Sequence, residues 1–139
     1  MSFLLDTSVI SELVKKSPHA PVLEWLEAQD EMTLYLSVIT IGEIEKGIAR
    51  LSASAHRTRL QSWLRRDLIE RFDNRLLSLD LRAVTRWGVL VGESEKRGVP
   101  LPVIDSLIAA TALVHGLTVV TRNVGDFDRC GVQCLNLWE

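Results

Sequence analysis

Short apolar segments alternate with longer stretches of helical periodicity along this chain, and this alternation constrains its fold more than any other feature. The apolar segments are rich in strand-forming residues and too short for independent helices. Because neighbouring parallel strands need a crossover between them, the pattern predicts an α/β fold with a mostly parallel central β-sheet flanked by α-helices. At 139 residues with no internal repeat, we expect a single domain spanning residues 1–139.

The strands and helices can be assigned from periodicity and turn residues. The predicted strands are FLL (3–5), TLYLSVI (33–39), RLLSLD (75–80), LTVVTRN (117–123) and VQCLNL (132–137). Helical spacing predicts helices over residues 9–16, 22–29, 40–51, 54–72, 81–97 and 106–115, with Thr40 opening the third and Gly98 and Gly116 closing the last two.

Composition excludes several classes of protein. The net charge is −2 with 47% hydrophobic residues, so no global basic field points to nucleic acid. No apolar run reaches the length of a membrane span, and the first residues lack a basic leader region, so we expect a cytoplasmic protein. Cys130 and Cys134 read as two free thiols, because a zinc site needs further ligands and the histidines are scattered.

Acidic residues recur where the predicted strands end. Asp6 ends the first strand, Glu43 lies in the helix after the second, Asp105 opens the apolar helix, and Asp126 follows the TVVT strand. Ligands of parallel sheets bind beyond the carboxyl ends of the strands. The sequence therefore predicts that these four carboxylates meet at one edge of the sheet.

Each acid also has a purely structural reading. Asp6 can cap a helix, and Glu43 can form a capping box with Thr40. Asp105 can complement a helix dipole, and Asp126 can be an ordinary turn residue. These readings stay open from the sequence alone.

If the four acids converge, chemistry narrows their role. Carboxylates packed together raise one another's pKa unless a cation joins them. Oxygen ligands without histidine or cysteine suit Mg²⁺ or Mn²⁺, which bind phosphate oxygens and activate water, so the implied reaction is hydrolysis of a phosphate ester. The hydroxyls of Thr7, Ser8 and Thr121 can orient carboxylates or water, or can serve only as caps and packing groups.

Other families with an acidic first strand end fit less well. A haloacid-dehalogenase-like phosphatase needs a second aspartate where Ser8 stands, and a receiver domain needs an acidic neighbour where Leu5 stands. A dinucleotide fold needs a glycine-rich turn after the first strand, and the phosphate-binding P-loop motif is missing.

Four blocks of the sequence together resemble one known family, the PIN-domain ribonucleases, and within it the VapC toxins of type II toxin–antitoxin systems with their FitB-like relatives. The resemblance covers nearly the whole chain in order. The blocks are FLLDTSVISEL, LYLSVITIGEIEKGI, PLPVIDSLIAATALVHGLTVVTRNVGDF and VQCLNLW.

The resemblance implies a Mg²⁺- or Mn²⁺-dependent endoribonuclease, a hydrolase that cuts RNA when freed from a VapB-like antitoxin. It also implies a homodimer and a toxin–antitoxin hetero-oligomer that reaches operator DNA only through the antitoxin. The family's metal-site acids fall on Asp6, Glu43 and Asp105. Cleavage by activated water would leave 5′-phosphate and 3′-hydroxyl ends.

The fourth acid departs from the family pattern. Many relatives carry an acid directly after the Thr-Arg pair, where this chain has Asn123. Asp126 is the nearest acidic substitute, and Asn123 can contribute a neutral oxygen or bind through water. In the proposed mechanism, Asp6, Asp105 and Asp126 hold the ion, while Glu43 binds a second ion or deprotonates the attacking water.

Two further features have open interpretations. Arginines in the 54–72 helix can contact phosphates or form a solvated face; they are Arg57, Arg59, Arg65, Arg66 and Arg71. The tryptophans can stack bases, but at helical spacing they indicate core or interface. The alternative function is a non-catalytic binding module that acts through association with antitoxin or nucleic acid.

Overall fold

A computed structural model describes residues 1–139 and contains a five-stranded sheet in which every strand pair is parallel. The strand order is β3-β2-β1-β4-β5, so the predicted mostly parallel α/β architecture is confirmed. The strands are β1 (Phe3–Leu5), β2 (Leu34–Ser37), β3 (Leu76–Leu77), β4 (Thr118–Val120) and β5 (Cys134–Leu135). The prediction of one domain over residues 1–139 stays a prediction.

The strand order places a crevice in the middle of the sheet. From β1 the chain proceeds to β2 and β3 on one side, then returns to β4 and β5 on the other side. Leu5 of β1 lies in register with Val120 of β4, so Asp6 and Thr121 are the next residues on both strands. This is the topological switch point where parallel sheets bind ligands.

Helices cover both faces of the sheet. They are α1 (Thr7–Glu12), α2 (Ala20–Ala28), α3 (Val38–Ala49), α4 (Ala55–Ser62), α5 (Ile69–Arg71), α6 (Leu81–Lys96), α7 (Val103–His115) and α8 (Val124–Asp128). A π-helical segment, Trp63–Leu68, joins α4 to α5, and the predicted 54–72 helix is thus one helical stretch with a widened middle. No helix is long and apolar enough to cross a membrane.

Two hydrophobic clusters pack against opposite faces of the sheet. The first holds Leu5 and Val120 and extends to Phe72 beyond the π-helical segment. The second holds Leu4 and Val119 and extends into α7 and α8. Successive strand residues alternate between the clusters because side chains alternate across a strand. Both faces of the short strands are therefore buried, which explains their unbroken apolar sequence.

Several predicted boundaries were wrong, for local reasons. Strand β2 stops at Ser37 because its hydroxyl accepts a hydrogen bond from the Ile39 amide, 3.0 Å, and caps α3. Thr40 therefore lies inside the helix and does not open it. Asp126, read as following a strand, belongs to the first turn of the short helix α8, which the sequence analysis missed.

The end of α7 follows the sequence signals closely. Pro102 directly precedes the helix, and Asp105 lies in its first turn, where a carboxylate favours the positive end of the helix. Gly116 ends α7 with φ +66°, a left-handed conformation that glycine adopts without strain. This helix carries Asp105 to the switch point from the opposite side of the sheet to α1.

Candidate metal-dependent nuclease site

Asp6 is held at the centre of the site by the strand that carries it and by two hydroxyls. Its backbone amide donates to Val120 O, 3.0 Å, which extends the parallel ladder by one residue. Its Oδ2 accepts hydrogen bonds from Ser8 Oγ at 3.1 Å and Thr121 Oγ1 at 2.7 Å. Only 4% of Asp6 is exposed. The carboxylate is thus fixed in orientation by neutral donors and has no cationic partner.

Glu43 is tied to the start of α1 and not to its own helix. Its Oε1 accepts a hydrogen bond from Thr7 Oγ1, 2.6 Å, across 36 residues of sequence. The alternative reading of Glu43 as a capping box with Thr40 is wrong, because Ser37 caps α3. Thr7 therefore aims a half-buried carboxylate toward the residue that follows β1.

The pKa of Asp105 responds to the charges of the neighbouring acids. Its pKa is raised to about 6, first by burial and then by the negative charges of Asp6, Asp126 and Glu43. The charges of the other three predicted carboxylates therefore act on Asp105 and favour its protonated form.

Two residues, Asp126 and Asn123, are candidates for the fourth position of the site, and their surroundings differ. Asp126 accepts a hydrogen bond from Arg129 Nη2 at 2.7 Å, a half-exposed ion pair between the first turn of α8 and the residue that follows the helix. Asn123 is exposed, and its backbone amide donates to Thr121 Oγ1 at 2.9 Å. Asp126 is the one that acts on the pKa of Asp105. Which of the two completes a metal site stays a prediction.

The chemistry of these donors fits a hard divalent cation. All four are carboxylates, the ligands that Mg²⁺ and Mn²⁺ prefer, and the raised pKa of Asp105 marks a local deficit of positive charge. As the side chains stand, no group of three or more His, Cys, Asp or Glu residues is arranged to hold a metal ion. A cation bound among these acids would offset the repulsion between their like charges.

The sequence analysis missed two neighbours of the site. Arg129 neutralises part of Asp126, and the three-residue spacing on a helix could have revealed this pair. Burial first, and then the charge of Asp105, raises the pKa of the Cys130 thiol to about 11. The thiol therefore stays protonated near neutral pH, and both cysteines are free.

A groove of about 190 Å³ opens beside Glu43. Thr7 and Glu43 form its polar end, and the remainder is mainly apolar, with Ile44, Leu60 and Trp63 among the lining residues. Trp63 and Trp25 also pack against the first hydrophobic cluster, as expected for core aromatics. The groove thus joins an apolar surface directly to the acidic site.

The arginines of the 54–72 segment differ in their surroundings, and the half-buried Arg57 has a buried Nε without a hydrogen-bond partner. Arg71 forms a double hydrogen bond with Glu31, both distances 2.8 Å, and Arg65 lies 3.7 Å from Glu45. Arg59 and Arg66 are exposed. Their proposed contact with phosphates stays untested, and Arg71 serves the fold.

A parallel sheet with acidic side chains near its switch point is the arrangement of an α/β domain of the nuclease class. The family described as "PIN domain" matches residues 3–132. The chain belongs to the PIN domain family and, within it, to the VapC/FitB-type toxin ribonucleases of type II toxin–antitoxin systems.

The relatives are similar over their whole length. The VapC ribonuclease Y4jK of Sinorhizobium fredii is 39% identical over 98% of this chain and 97% of its own. Toxin FitB of Neisseria gonorrhoeae is 33% identical over 98% of both chains. A solved structure of FitAB bound to an IR36 DNA fragment has a TM-score of 0.92 at 31% identity, covering 99% of this chain and 96% of that one.

Proposed function

We propose that this protein is an endoribonuclease toxin that hydrolyses RNA phosphodiester bonds with Mg²⁺, for which Mn²⁺ can substitute. The observation that supports the proposal is the approach of three acids, Asp6, Asp126 and Glu43, to Asp105, whose pKa is raised to about 6 by burial and then by their charges. Its family membership supports RNA as the substrate, since a 39% identical relative is a VapC ribonuclease.

In this proposal the four acids have different roles. Asp6, Asp105 and Asp126 hold the ion, and Glu43 holds a second ion or takes the proton of the attacking water. When bound, the ion supplies charge stabilisation for the phosphate oxygens and lowers the pKa of water. Glu43 suits proton transfer because Thr7 binds only its Oε1, which leaves Oε2 without a hydrogen-bond partner and able to accept a proton.

The hydroxyls fix the geometry of the acids. Ser8 and Thr121 both donate to Oδ2 of Asp6, which leaves Oδ1 as the oxygen for the ion. Thr121 also accepts a hydrogen bond from the backbone amide of Asn123, so the loop after β4 is connected to Asp6 through the Thr121 hydroxyl. These residues orient the carboxylate before any cation arrives, which reduces the cost of assembling the site.

A VapB-like antitoxin inhibits the enzyme in this proposal. The apolar groove beside Glu43 suits a helix from the antitoxin, and an arginine of that helix would supply the charge that the acids lack. We further propose a homodimer that joins the antitoxin in a hetero-oligomer and reaches operator DNA through it. The FitAB structure bound to a DNA fragment supports such an assembly. A complex in which the antitoxin lies remote from Asp6 and Asp105 would contradict the inhibition mechanism.

The alternative function is a non-catalytic module, in which the same fold binds antitoxin or nucleic acid without cleaving RNA. The two functions differ in one measurable property, which is cleavage that depends on a divalent cation.

The test compares purified wild type, Asp6→Ala and Asp105→Ala on RNA with Mg²⁺ or EDTA. Asp128→Ala is the matched control, because Asp128 is an exposed acid of α8 outside the site. We expect cleavage by wild type and the control only with Mg²⁺, and a loss of at least about 10³-fold, or ~4 kcal/mol, in both site variants. Activity in the site variants equal to wild type would reveal a contaminating nuclease and overturn the catalytic proposal, as would metal-independent cleavage.

A further inference from the structure

The loop after β4 carries an arginine between two residues that are bound to the Asp6 network. The backbone amide of Arg122 donates to Ser8 Oγ, 3.2 Å, and Ser8 donates onward to Asp6. On either side of Arg122, Thr121 and Asn123 are joined to each other and to Asp6. The backbone of Arg122 is thus fixed at the acidic edge, while its side chain is exposed.

The Arg122 side chain has an aromatic partner and no acidic one. Its guanidinium lies 5.8 Å from the centre of the Trp138 ring, and no carboxylate forms an ion pair with it. Trp138 packs against the first hydrophobic cluster and stacks on His19, with ring centres 6.2 Å apart and an angle of 11°. A supported ring therefore holds a free cation beside the site.

Arg129, at the same edge, already forms an ion pair within the chain. Arg129 directly follows α8, close to the same loop, but it is paired with Asp126 at 2.7 Å. Arg122 is accordingly the exposed cation that this loop offers to a ligand. Four carboxylates repel the phosphates of RNA, and a metal ion compensates mainly at the scissile phosphate, so flanking phosphates need a separate positive group.

We propose that Arg122 is a substrate-positioning residue that binds a backbone phosphate of the RNA next to the bond to be cleaved, with Trp138 holding its guanidinium in place. This inference rests on the proposed ribonuclease function and adds a residue to it. Because the same loop orients Asp6 through Thr121, a phosphate bound to Arg122 is placed in a fixed relation to the acids.

A purely structural role makes a different prediction. If Arg122 only anchors Trp138 and the end of the chain, its removal lowers thermal stability and leaves RNA contacts unchanged. A phosphate contact instead alters the salt dependence of RNA binding, because each neutralised phosphate of a single strand contributes about 0.7 to the slope of log K against log salt. Salt dependence therefore separates the two roles.

The experiment measures binding of a fluorescent single-stranded RNA by anisotropy, in EDTA to prevent cleavage and at several salt concentrations. The variants are Arg122→Gln, Arg122→Lys and the control Arg82→Gln, which alters an exposed arginine of α6 with no ion-pair partner. We expect Arg122→Gln to weaken binding about tenfold and reduce the slope by about 0.7, at unchanged Tm. Arg122→Lys and Arg82→Gln should keep the wild-type slope.

The role of Trp138 is tested through its dependence on Arg122. Trp138→Leu should weaken RNA binding severalfold in the wild-type background and have little further effect with Arg122→Gln, whereas Trp138→Phe keeps a ring and should restore most of the affinity. Equal effects of Trp138→Leu in both backgrounds would overturn its role in supporting Arg122.

Failure of this inference is distinguishable from failure of the ribonuclease function. An unchanged slope in Arg122→Gln, an equal loss in Arg82→Gln, or no RNA binding by wild type would overturn the positioning role. RNA binding with the expected slope change but no Mg²⁺-dependent cleavage would support the phosphate contact and contradict the enzyme. Metal-dependent cleavage with an unchanged slope would do the reverse.

Discussion

Two acidic residues of this protein, Glu31 and Asp105, lie in opposite electrostatic settings. Glu31 accepts a double hydrogen bond from Arg71 and another from Arg75, and these contacts, led by that of Arg71, hold its pKa below the ordinary value despite some burial. Burial and three neighbouring carboxylates raise the pKa of Asp105 to about 6. Glu31 therefore has cationic partners within the chain, whereas Asp105 has none.

The difference separates a stabilising contact from a functional one. The guanidinium of Arg75 also donates to the backbone oxygens of Glu31 and Leu34 and lies over the Phe72 ring, 4.7 Å from its centre. That cluster joins β2 to the end of the long helical stretch and needs no further ligand. At the acidic edge the negative charge is not balanced by cations of the chain. Such unbalanced charge is typical of active sites that bind a cation or a substrate.

The largest effect on stability should come from removing Arg75, the buried arginine that binds Glu31. Arg75→Met keeps the length of the side chain but leaves the Glu31 carboxylate and three backbone oxygens, those of Glu31, Leu34 and Arg71, without their buried donor. Because Arg75 is only 6% exposed, we expect the free energy of unfolding to fall by about 3 kcal/mol in urea titrations. RNA cleavage at a temperature where the variant remains folded should be unchanged.

The matched control is Arg71→Met, which removes the other arginine of the same cluster. The Arg71 side chain is 36% exposed, so solvent already weakens its ion pair, and we expect a loss of about 1 kcal/mol or less. Equal losses in the two variants would contradict the importance of burial. A loss of cleavage in Arg75→Met would show that the cluster around Glu31 and the acidic edge are coupled.

Much of the fold could be predicted from periodicity, but the helix starts could not. The apolar strands and their alternation with helices specify a parallel sheet, because both faces of each strand must be covered. The start of α3 was misplaced by two residues, since Val38 and Ile39 favour strands and the cap formed by Ser37 outweighs that preference. Helix α8 was missed because a five-residue helix has too little periodicity to detect.

The site could be located from the sequence, but its contacts could not. The position of Asp6, Glu43 and Asp105 at strand and helix ends predicted a shared edge, and the interaction of their charges agrees with it. That Thr7 would bind Glu43, while Ser8 and Thr121 bind Asp6, depends on rotamers and on the β1–β4 register. Such detail arises from packing between distant segments and has no local sequence signal.

A smaller effect should follow from loosening the acidic edge without altering its charge. Thr121→Val keeps the shape of a fully buried side chain but removes the donor to Asp6 at 2.7 Å and the acceptor for Asn123. We expect kcat/KM for RNA with Mg²⁺ to fall about 10–100-fold, typical of groups that orient a metal ligand. The change should appear in steady-state cleavage assays with a fixed RNA.

Thr111→Val is the control for the loss of a buried hydroxyl. Thr111 is 1% exposed and donates only to Leu107 O within α7, 3.0 Å. The control should change stability by a similar amount and leave cleavage at the wild-type rate. If both variants lost activity equally, general destabilisation would explain the effect, and the orienting role of Thr121 would be wrong.

The smallest effect concerns the pH dependence of stability, where the two regions act in opposite directions. The folded pKa of Asp105, about 6, exceeds its ordinary value of 3.8, so the folded state binds this proton more tightly than the unfolded state does. Its contribution to the unfolding free energy therefore falls as pH rises from about 4 to 6. A carboxylate whose folded pKa is lowered, such as Glu31, instead contributes less to the unfolding free energy as pH falls.

Comparison with Asp105→Asn isolates this contribution, because asparagine keeps the shape and cannot ionise. In EDTA, the variant should unfold about 2 °C above wild type at pH 7, and the difference should vanish near pH 4. Mg²⁺ should raise the Tm of wild type more than that of the variant, since only wild type offers the full set of carboxylates. A Tm difference independent of pH, or a variant less stable than wild type at pH 7, would contradict the view that the acidic edge is strained by its own charge.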